Sequence, residues 1–567
     1  MDDVDAVQAQ IARNMLLSGD WVTARLNGIA YLEKAPLPYW IMAVSFEVLG
    51  VSDWAARLPL ALGVVLLCLL TARFARWAFG EPAGLYSGIV LSTSVGLFLF
   101  TRILIPDALL TLTITLGLWA FLRALEEDEA HPRRWALVFA ASAGAGLLLK
   151  GLIAVVFPAG AVLVYLSLTR QLFRRRTWQR LHPFTGLAVL LAIAAPWHVL
   201  ATLRNPPYFD FTWRSAPGEY HGFFWFFFLN EHVFRFLDMR HPRDYNTVPR
   251  HLFWLFHLLW LFPWSVYLPA LSRVSYRPVD RAGRARLMAL CWIGFVMIFF
   301  TFSTTQEYYS MPVYPALALL LGSAMAGEGR WLRIAPRIVA SIAAVAVTII
   351  AVILFLVRAA ATPGDIASAL AQNPELYTLS LGHMGDLTLA SFAYLRTPLV
   401  VAGVAFLFGA VALWRLRERR AILAMALMML LFFHAARLAM VVFDPYLSSR
   451  HLARALQQAP PGRLITDGQY YTYSSVFFYT NRQALLWNGR ANNLEYGSYA
   501  PGAPDVFLDD AGFGQLWSAA ERSYVVAERP GVSRLRQLAG AENLHLVAEG
   551  GGRYLFTNHP LDGAAAP

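Results

Sequence analysis

Charged residues are scarce in this chain of 567 residues. They make up 15% of the sequence, against about 25% in soluble globular proteins, whereas apolar residues make up 57%. A single soluble core could not bury so many apolar side chains. The composition therefore excludes an ordinary soluble protein and predicts that most of the chain is solvated by lipid.

Cysteine and lysine are almost absent as well. Cys68 and Cys291 both lie in apolar runs, which excludes a disulfide framework and a thiolate metal site. Among 47 basic residues, only Lys34 and Lys150 are lysines. A lysine kept among arginines suits a phosphate, because a compact ammonium and a guanidinium are not interchangeable. For Lys150, chance retention explains the residue equally well.

Twelve apolar segments are long enough, at about 20 residues, to span a membrane as helices. They are residues 57–73, 82–101, 106–123, 134–150, 152–169, 184–202, 251–271, 287–303, 309–326, 337–357, 397–414 and 421–442.

Arginines occupy every second connection between these segments, in clusters at 73–76, 123–134, 170–176, 273–286, 330–337 and 415–420. The positive-inside rule places all of these clusters on the cytoplasmic side of a bacterial inner membrane and the remaining connections on the periplasmic side. The net charge of +11 is thereby explained by topology, so no nucleic-acid partner is expected.

This topology divides the chain into a first external loop (1–56), a transmembrane domain (57–442) and a periplasmic tail (443–567). Apolar residues at helical spacing predict an amphipathic helix over 4–17, and residues 38–50 predict a helix lying in the membrane interface. An even number of spans puts Met1 outside as well. We therefore expect the native start to lie upstream, with one further membrane helix.

The tail is polar and mixed in pattern. Predicted strands fall at 463–466, 476–479, 523–527 and 544–548, and predicted helices at 449–458 and 532–540. They indicate a small α/β domain. The external loop 358–396 is predicted to carry short helices.

Unusual polar residues collect on the predicted outer side, and each has a structural explanation beside a functional one. Asp5 could cap the first helix, Asp107 could be an ordinary helix start after Pro106, and Glu33 and Lys34 could be a solvated pair. The tyrosines could anchor the interface. The members of this set are Asp3, Asp5, Glu33, Lys34, Arg102, Asp107, Glu231, His232, Arg235, Tyr308 and Tyr309.

Several polar phrases resemble a known family. They are DDVDAVQAQIARNML, SGDWVTARLNG and YLEKAPLPYW in the first loop, then TRILIPDALLT, FLNEHVFRFL and EYYSMPVYPALALLLG. In this order they are similar to the polyprenyl-phosphate-dependent GT-C glycosyltransferases, which include protein O-mannosyltransferases and lipid A aminoarabinose transferases. The resemblance implies an α-helical polytopic fold of about 12 spans, with interfacial helices in the first loop.

The resemblance also implies an inverting transfer of a sugar from a polyprenyl-phosphate donor. The acceptor would be a glycolipid, polysaccharide or protein on the outer face. An acid of the first loop would be the general base: Asp5 first, or Asp3 with a one-residue shift, since Val4 stands where the family has aspartate. Asp107 matches the second acid and Lys34 the phosphate-binding lysine.

The remaining roles that the resemblance implies concern binding. Tyr309 matches a tyrosine of the donor cavity. Tyr308, Arg102, Arg235 and Glu231 are predicted substrate contacts because they belong to the same set of outer polar residues. Glu33 and His232 fall where some relatives hold a divalent metal ion.

Two alternatives to an enzyme stay open. A lipid-linked sugar transporter or flippase would need ionisable groups in mid-span, where this chain has almost none. The second alternative is a catalytically degenerate relative that binds lipid phosphate without turnover. It stays open because Val4 stands where the family has an aspartate.

Overall fold

The structure is a computed structural model, and it describes residues 1–242, 247–303, 305–371, 373–377 and 379–561. The chain begins with helix α1 (Asp3–Ser18), a hairpin of β1 (Arg25–Leu26) and β2 (Ile29–Ala30), and helix α2 (Leu37–Leu49). The carboxylate of Asp2 caps α1 by accepting a hydrogen bond from the Asp5 amide at 2.8 Å. Both helices predicted for the first loop are present.

The long apolar middle of the chain is helical. Its first half contains α3 (Asp53–Phe79), α4 (Glu81–Ser92), α5 (Val95–Phe100), α6 (Asp107–Leu125), α7 (Pro132–Lys150), α8 (Ile153–Leu168), α9 (Arg175–Leu181) and α10 (Pro183–Arg204). Its second half contains α11 (Gly222–Phe224), a π-helix (Trp225–Phe234), α12 (Arg250–Leu255), α13 (His257–Trp260), a 3-10 helix (Trp264–Arg273), α14 (Arg281–Thr301), a 3-10 helix (Glu307–Val313), α15 (Tyr314–Met325), α16 (Arg330–Leu356), α17 (Arg396–Arg415) and α18 (Glu418–Val442).

All twelve predicted apolar segments coincide with helices in this list. Within the described residues, seven helices are long and apolar enough to cross a membrane, or eight if the bent pair Arg250–Trp260 and Trp264–Arg273 is one span. That pair bends by 97°, and Pro263 at the bend lacks the N–H that would continue the helix. The number of twelve spans stays a prediction.

The outer helices of the bundle expose apolar side chains. Val345, Ile349 and Phe355 of α16 are all more than half exposed, at 60%, 54% and 62%. Such a surface is costly in water but matches the hydrocarbon of a bilayer. The chain is therefore a multi-span membrane protein.

Beyond the bundle, the chain forms a mixed sheet flanked by short helices. The strands are β3 (Arg463–Asp467), β4 (Leu485–Trp487), β5 (Phe507–Leu508), β6 (Ser523–Glu528), β7 (His545–Gly550) and β8 (Arg553–Thr557), in the order β5-β4-β3-β6-β8-β7. The first four strands of that order are parallel. β8 pairs antiparallel with β6, and β7 pairs antiparallel with β8. The helices are α19 (Asp444–Leu447), α20 (Arg450–Gln458), α21 (Ser474–Thr480), α22 (Asn492–Ser498), α23 (Asp510–Trp517) and α24 (Val532–Ala539).

One predicted element of the tail is wrong. Residues 476–479 were predicted as a strand from a run of β-favouring side chains, but they belong to α21. Val476, Phe477 and Phe478 are buried there, because α21 packs between α1 and α20. A short apolar run buried on several sides has no period that distinguishes a strand from a helix.

The sheet unit lies against the loops at one end of the bundle. The ring of Tyr496 in α22 stacks on Phe226 of the π-helix at 4.1 Å, and its hydroxyl donates a hydrogen bond to the Gly222 carbonyl at 3.0 Å. Tyr471 donates to the hydroxyl of Tyr31, next to β2, at 3.4 Å. Both contacts brace loops that carry candidate site residues. The loop 358–396 contains short 3-10 helices, as predicted.

Candidate active site

A cavity of about 370 Å³ opens among the helix ends on the side of these loops. It is bounded by the starts of α6 and α8, the ends of α7 and α14, the π-helix, and the turn before α2. Most of its wall is apolar, including Ile153, Val156, Phe157, Phe299 and Phe300. Its polar lining consists of Glu33, Lys34, Asp107, Lys150, Glu231, His232, Arg235, Ser303 and Tyr309. Seven of the predicted site residues thus converge from separate loops.

Asp107 and Lys150 form the central ion pair of the cavity. Asp107 is the first residue of α6 and is 1% exposed, and the Lys150 ammonium lies 2.5 Å from its Oδ1. Among the described residues, Oδ2 of Asp107 has no hydrogen-bond partner. Lys150 also lies 4.9 Å from the ring of Tyr309 and 5.5 Å from that of Tyr308. Lys150 was absent from the predicted site, although its rarity among 47 basic residues was a usable signal.

Buried carboxylates balance the other cations. Glu33 forms an ion pair with Lys34, while Glu231 accepts hydrogen bonds from Arg235 at 2.8 Å and Arg240 at 2.6 Å. Burial alone would raise the pKa of Glu33, but Lys34, Arg240 and Arg235 outweigh it and lower that pKa to about 2. Glu33 is therefore ionised at neutral pH and keeps Lys34 charged.

His232 stabilises the turn at residues 150–152 through hydrogen bonds of both ring nitrogens. Its Nε2 accepts a hydrogen bond from the Leu152 amide at 3.0 Å, and its Nδ1 donates to the Phe227 carbonyl at 2.5 Å. Burial lowers the pKa of His232, which keeps the ring neutral. A Cβ on Gly151 would lie 2.3 Å from Nε2, and the φ of Gly151 is +70°, so this turn requires glycine.

The two residues predicted to hold a metal do not fit one in this geometry. Both ring nitrogens of His232 are engaged, and Glu33 is paired with Lys34. Within the part of the chain that the structure describes, no three His, Cys, Asp or Glu side chains form a metal-binding group.

The first-loop acids lie outside the cavity lining. Asp5 is fully buried, pairs with Arg57, and accepts a hydrogen bond from the Leu104 amide at 2.6 Å. Burial, assisted by Asp2 and opposed by Arg57, raises the pKa of Asp5 to about 7. Asp3 is bound to the sheet unit, where it accepts hydrogen bonds from the amide and hydroxyl of Ser475, both at 2.7 Å. Their catalytic roles stay predictions.

Arg102 and Tyr308 also lie outside the lining. The guanidinium of Arg102 covers the ring of Phe98 at 4.3 Å, and its carbonyl accepts a hydrogen bond from Arg57 at 2.6 Å. Tyr308 packs edge-on against Tyr309, with ring centroids 4.9 Å apart. Asp5 and Arg57 therefore hold the 102–104 loop, which leads directly into Asp107.

Two crystal structures of ArnT from Cupriavidus metallidurans share this architecture. The one bound to undecaprenyl phosphate has a TM-score of 0.78 and 24% identity, covering 100% of this chain and 94% of that chain. The apo structure has a TM-score of 0.76 and 23% identity, covering 99% and 93%. This chain has the GT-C fold of ArnT. The fold predicted from the resemblance is thus confirmed as a helical membrane GT-C fold.

Sequence comparison agrees with the fold. Residues 33–199 match the family model described as dolichyl-phosphate-mannose-protein mannosyltransferase. The undecaprenyl phosphate-alpha-4-amino-4-deoxy-L-arabinose arabinosyl transferase of Pseudomonas aeruginosa PAO1 is 30% identical over 332 residues, which are 56% of this chain and 54% of the relative. The transferase of the same name from Aeromonas hydrophila is 29% identical over 324 residues, 56% and 54% of the two chains. The chain spans about half the length of these curated relatives. The predicted resemblance is confirmed.

Proposed function

We propose that this protein is a glycosyltransferase that moves a sugar from a polyprenyl-phosphate donor to an acceptor at the outer face of the bacterial inner membrane. The observation that carries the proposal is the cavity, in which charged groups and a long apolar wall meet. An amphiphilic donor with a phosphate head and a hydrocarbon tail has this same distribution of polarity.

The charged end suits a phosphate. Lys34, Lys150 and Arg235 line the cavity, each paired with one of the carboxylates Glu33, Asp107 and Glu231, and the buried Arg240 adds one further cation beside Glu231. The local excess of positive charge is what a phosphate monoanion would neutralise. As the bond from the anomeric carbon to the phosphate oxygen breaks, preorganised cations stabilise the charge that develops on the leaving phosphate.

The apolar end suits a polyprenyl chain. Phe299 lines the cavity and also an apolar groove between α8 and α14 on the surface of the bundle. That groove has a volume of about 390 Å³ and includes Leu168, Leu290 and Ile298, which face the bilayer. A lipid-linked donor could thus keep its tail in hydrocarbon while its head reaches the charged residues.

The acceptor oxygen would attack the anomeric carbon from the side opposite the phosphate, which inverts the configuration at that carbon. If the acceptor is a hydroxyl, its proton must pass to a carboxylate. Asp107 is the carboxylate that combines a place in the cavity lining with an oxygen free of partners among the described residues. Asp5 remains the alternative base if the 102–104 loop moves on substrate binding.

The names of the relatives place them among transferases that act with undecaprenyl phosphate, which supports an enzyme over a flippase. An aminoarabinose donor and a lipid A acceptor are the first substrates to test. The outward orientation rests on the arginine clusters, which lie at the other end of the helices from the cavity.

The test is sugar transfer in proteoliposomes that contain the full chain, a radiolabelled undecaprenyl-phosphate sugar and a lipid A or glycolipid acceptor. Lys34→Gln should reduce product formation at least about 100-fold, the usual cost of losing one preorganised charge-stabilising donor. Arg25→Gln, in the same loop but exposed and away from the cavity, should leave it unchanged. Transfer that is equal in both variants, or absent from the wild type with every acceptor, would refute the proposal.

A further inference from the structure

A second charged pocket lies at the other end of the helix bundle. It has a volume of about 300 Å³ and lies between the end of the 3-10 helix Trp264–Arg273, the start of α14, the end of α15 and the start of α16. We call it the arginine pocket. Its lining includes Arg273, Ser275, Arg286, Ser323, Glu328 and Trp331.

The arginine pocket and the candidate active site occupy opposite ends of the same helices. Arg286 lies in the second turn of α14 and Phe299 in its last turn, about 20 Å apart along the helix axis. Ser323 near the end of α15 and Pro312 just before its start lie at opposite ends of a helix of 12 residues, which is about 18 Å long. Arg273 and Arg286 belong to one of the arginine clusters that the positive-inside rule assigns to the cytoplasmic side, so we place the arginine pocket toward the membrane surface opposite the cavity.

The two arginines are arranged differently. Arg286 is held in place, since its Nε donates to Ser323 Oγ at 2.7 Å, its Nη1 donates to the Ser275 carbonyl at 3.1 Å, and its guanidinium lies over Phe79. Arg273 is exposed, and within the described ranges its guanidinium has no ion-pair or hydrogen-bond partner. Glu328 at the rim is exposed and carries the one acidic charge of the described lining.

We propose that the arginine pocket binds the phosphate of an anionic membrane phospholipid. A fixed and an adjustable guanidinium can share the oxygens of one phosphodiester, since the guanidinium presents several donors in a planar fork. Trp331 closes one side of the pocket, with its indole N–H donating to the Val266 carbonyl. Tryptophan is enriched where membrane proteins meet lipid headgroups, which suits a Trp331 ring beside a headgroup phosphate. This site is separate from the proposed transfer reaction and needs no sugar donor.

Native mass spectrometry of the full chain with phosphatidylglycerol and with phosphatidylcholine tests the proposal. The wild type should prefer phosphatidylglycerol. Arg273→Gln should weaken phosphatidylglycerol binding about fivefold, the effect of one arginine at a membrane surface. Glu328→Gln should strengthen it. Arg277→Gln, an exposed arginine of the same segment outside the pocket, is the matched control for charge and should change binding less than about twofold because its charge is screened.

Equal losses in Arg273→Gln and Arg277→Gln would mean that only diffuse surface charge attracts the lipid, and the proposal would fall. A second pair of results would also refute the proposal: inorganic phosphate binds only when Arg273 is present, and phosphatidylglycerol binds no better than phosphatidylcholine. The ligand of the pocket would then be a soluble phosphate. Because binding is measured without sugar transfer, these outcomes are independent of the proposed enzyme activity.

Discussion

Arg553, at the start of the last strand, donates a hydrogen bond to Asp3 in the first helix at 2.6 Å across 550 positions of sequence. The same guanidinium donates to Ser449 at 2.9 Å, and Asp3 also accepts from Ser475. Asp3 is 6% exposed, so this is a buried connection between the sheet unit and the first loop. This connection holds α1 in place. Asp5, on the same helix, then contacts Arg57 and the loop before Asp107.

The buried acids of α1 should make stability depend on pH. Burial raises the pKa of Asp3 from 3.8 to about 6, against the opposing effect of Arg553. The folded state then holds the proton more tightly than the unfolded state, so this contribution to stability is complete below pH 3.8 and is lost as pH rises to about 6. A pKa shift of this size changes the free energy of unfolding by on the order of 3 kcal/mol. Asp3→Asn removes the titrating group, so Tm should fall less between pH 4 and 6 in this variant than in the wild type. Parallel Tm profiles of wild type and variant would contradict this.

Asp107 and Lys150 should behave as one unit. Asp107→Asn is expected to lower kcat/KM at least about 100-fold, and Lys150→Gln somewhat less, because both changes break the same buried pair. The double variant should be no worse than Asp107→Asn alone, giving a large interaction term in a double-mutant cycle. Losses that simply multiply would show that the two side chains act separately.

The variant Asp5→Asn distinguishes two roles of Asp5, as the catalytic base and as an anchor of the 102–104 loop. If Asp5 only holds Leu104 and Arg57, the variant should lose Tm and activity together, and less activity than Asp107→Asn. If Asp5 also takes the acceptor proton, kcat should fall as far as in Asp107→Asn, beyond what the loss of Tm explains, while the KM of the donor stays unchanged. The steady-state constants and Tm, measured on the same preparations, decide between the two.

Arg235 and Arg240 share Glu231 as a partner but differ in position. Arg235 lines the cavity, whereas Arg240 is 9% exposed and is absent from the lining. Arg235→Gln should therefore raise the KM of the donor about tenfold, the cost of one charge-assisted hydrogen bond. Arg240→Gln should mainly lower Tm, since Glu231 would lose a buried partner. A similar KM increase in both variants would show that the position in the cavity does not matter.

His232 should act through the 150–152 turn. Removing its ring in His232→Ala leaves the Leu152 amide and the Phe227 carbonyl without partners, at about 1–3 kcal/mol each, and shifts Lys150. Gly151→Ala, which crowds the same ring, should give a similar loss of Tm and activity. If His232 instead held a metal, divalent cations would raise the Tm of the wild type more than that of His232→Ala. We expect equal shifts.

The sequence by itself determined the helices and the side of the molecule on which the polar residues gather. The twelve apolar segments and the α1 pattern are local features, readable from about 20 consecutive residues. Polar loop residues such as Lys34, Asp107 and Arg235 could be recognised because they interrupt apolar sequence at one end of those helices. The phrases that contain them also carried the resemblance.

Only the tertiary structure decided which of these residues meet. Lys150 joins Asp107 because α6 and α7 run antiparallel and bring the end of one helix to the start of the other. Only packing shows that Asp3 is linked to Arg553 and that His232 braces the Gly151 turn. Residues 476–479 became a helix because their burial, not their β propensity, set their conformation. Such pairings depend on packing between distant segments, which no local pattern encodes.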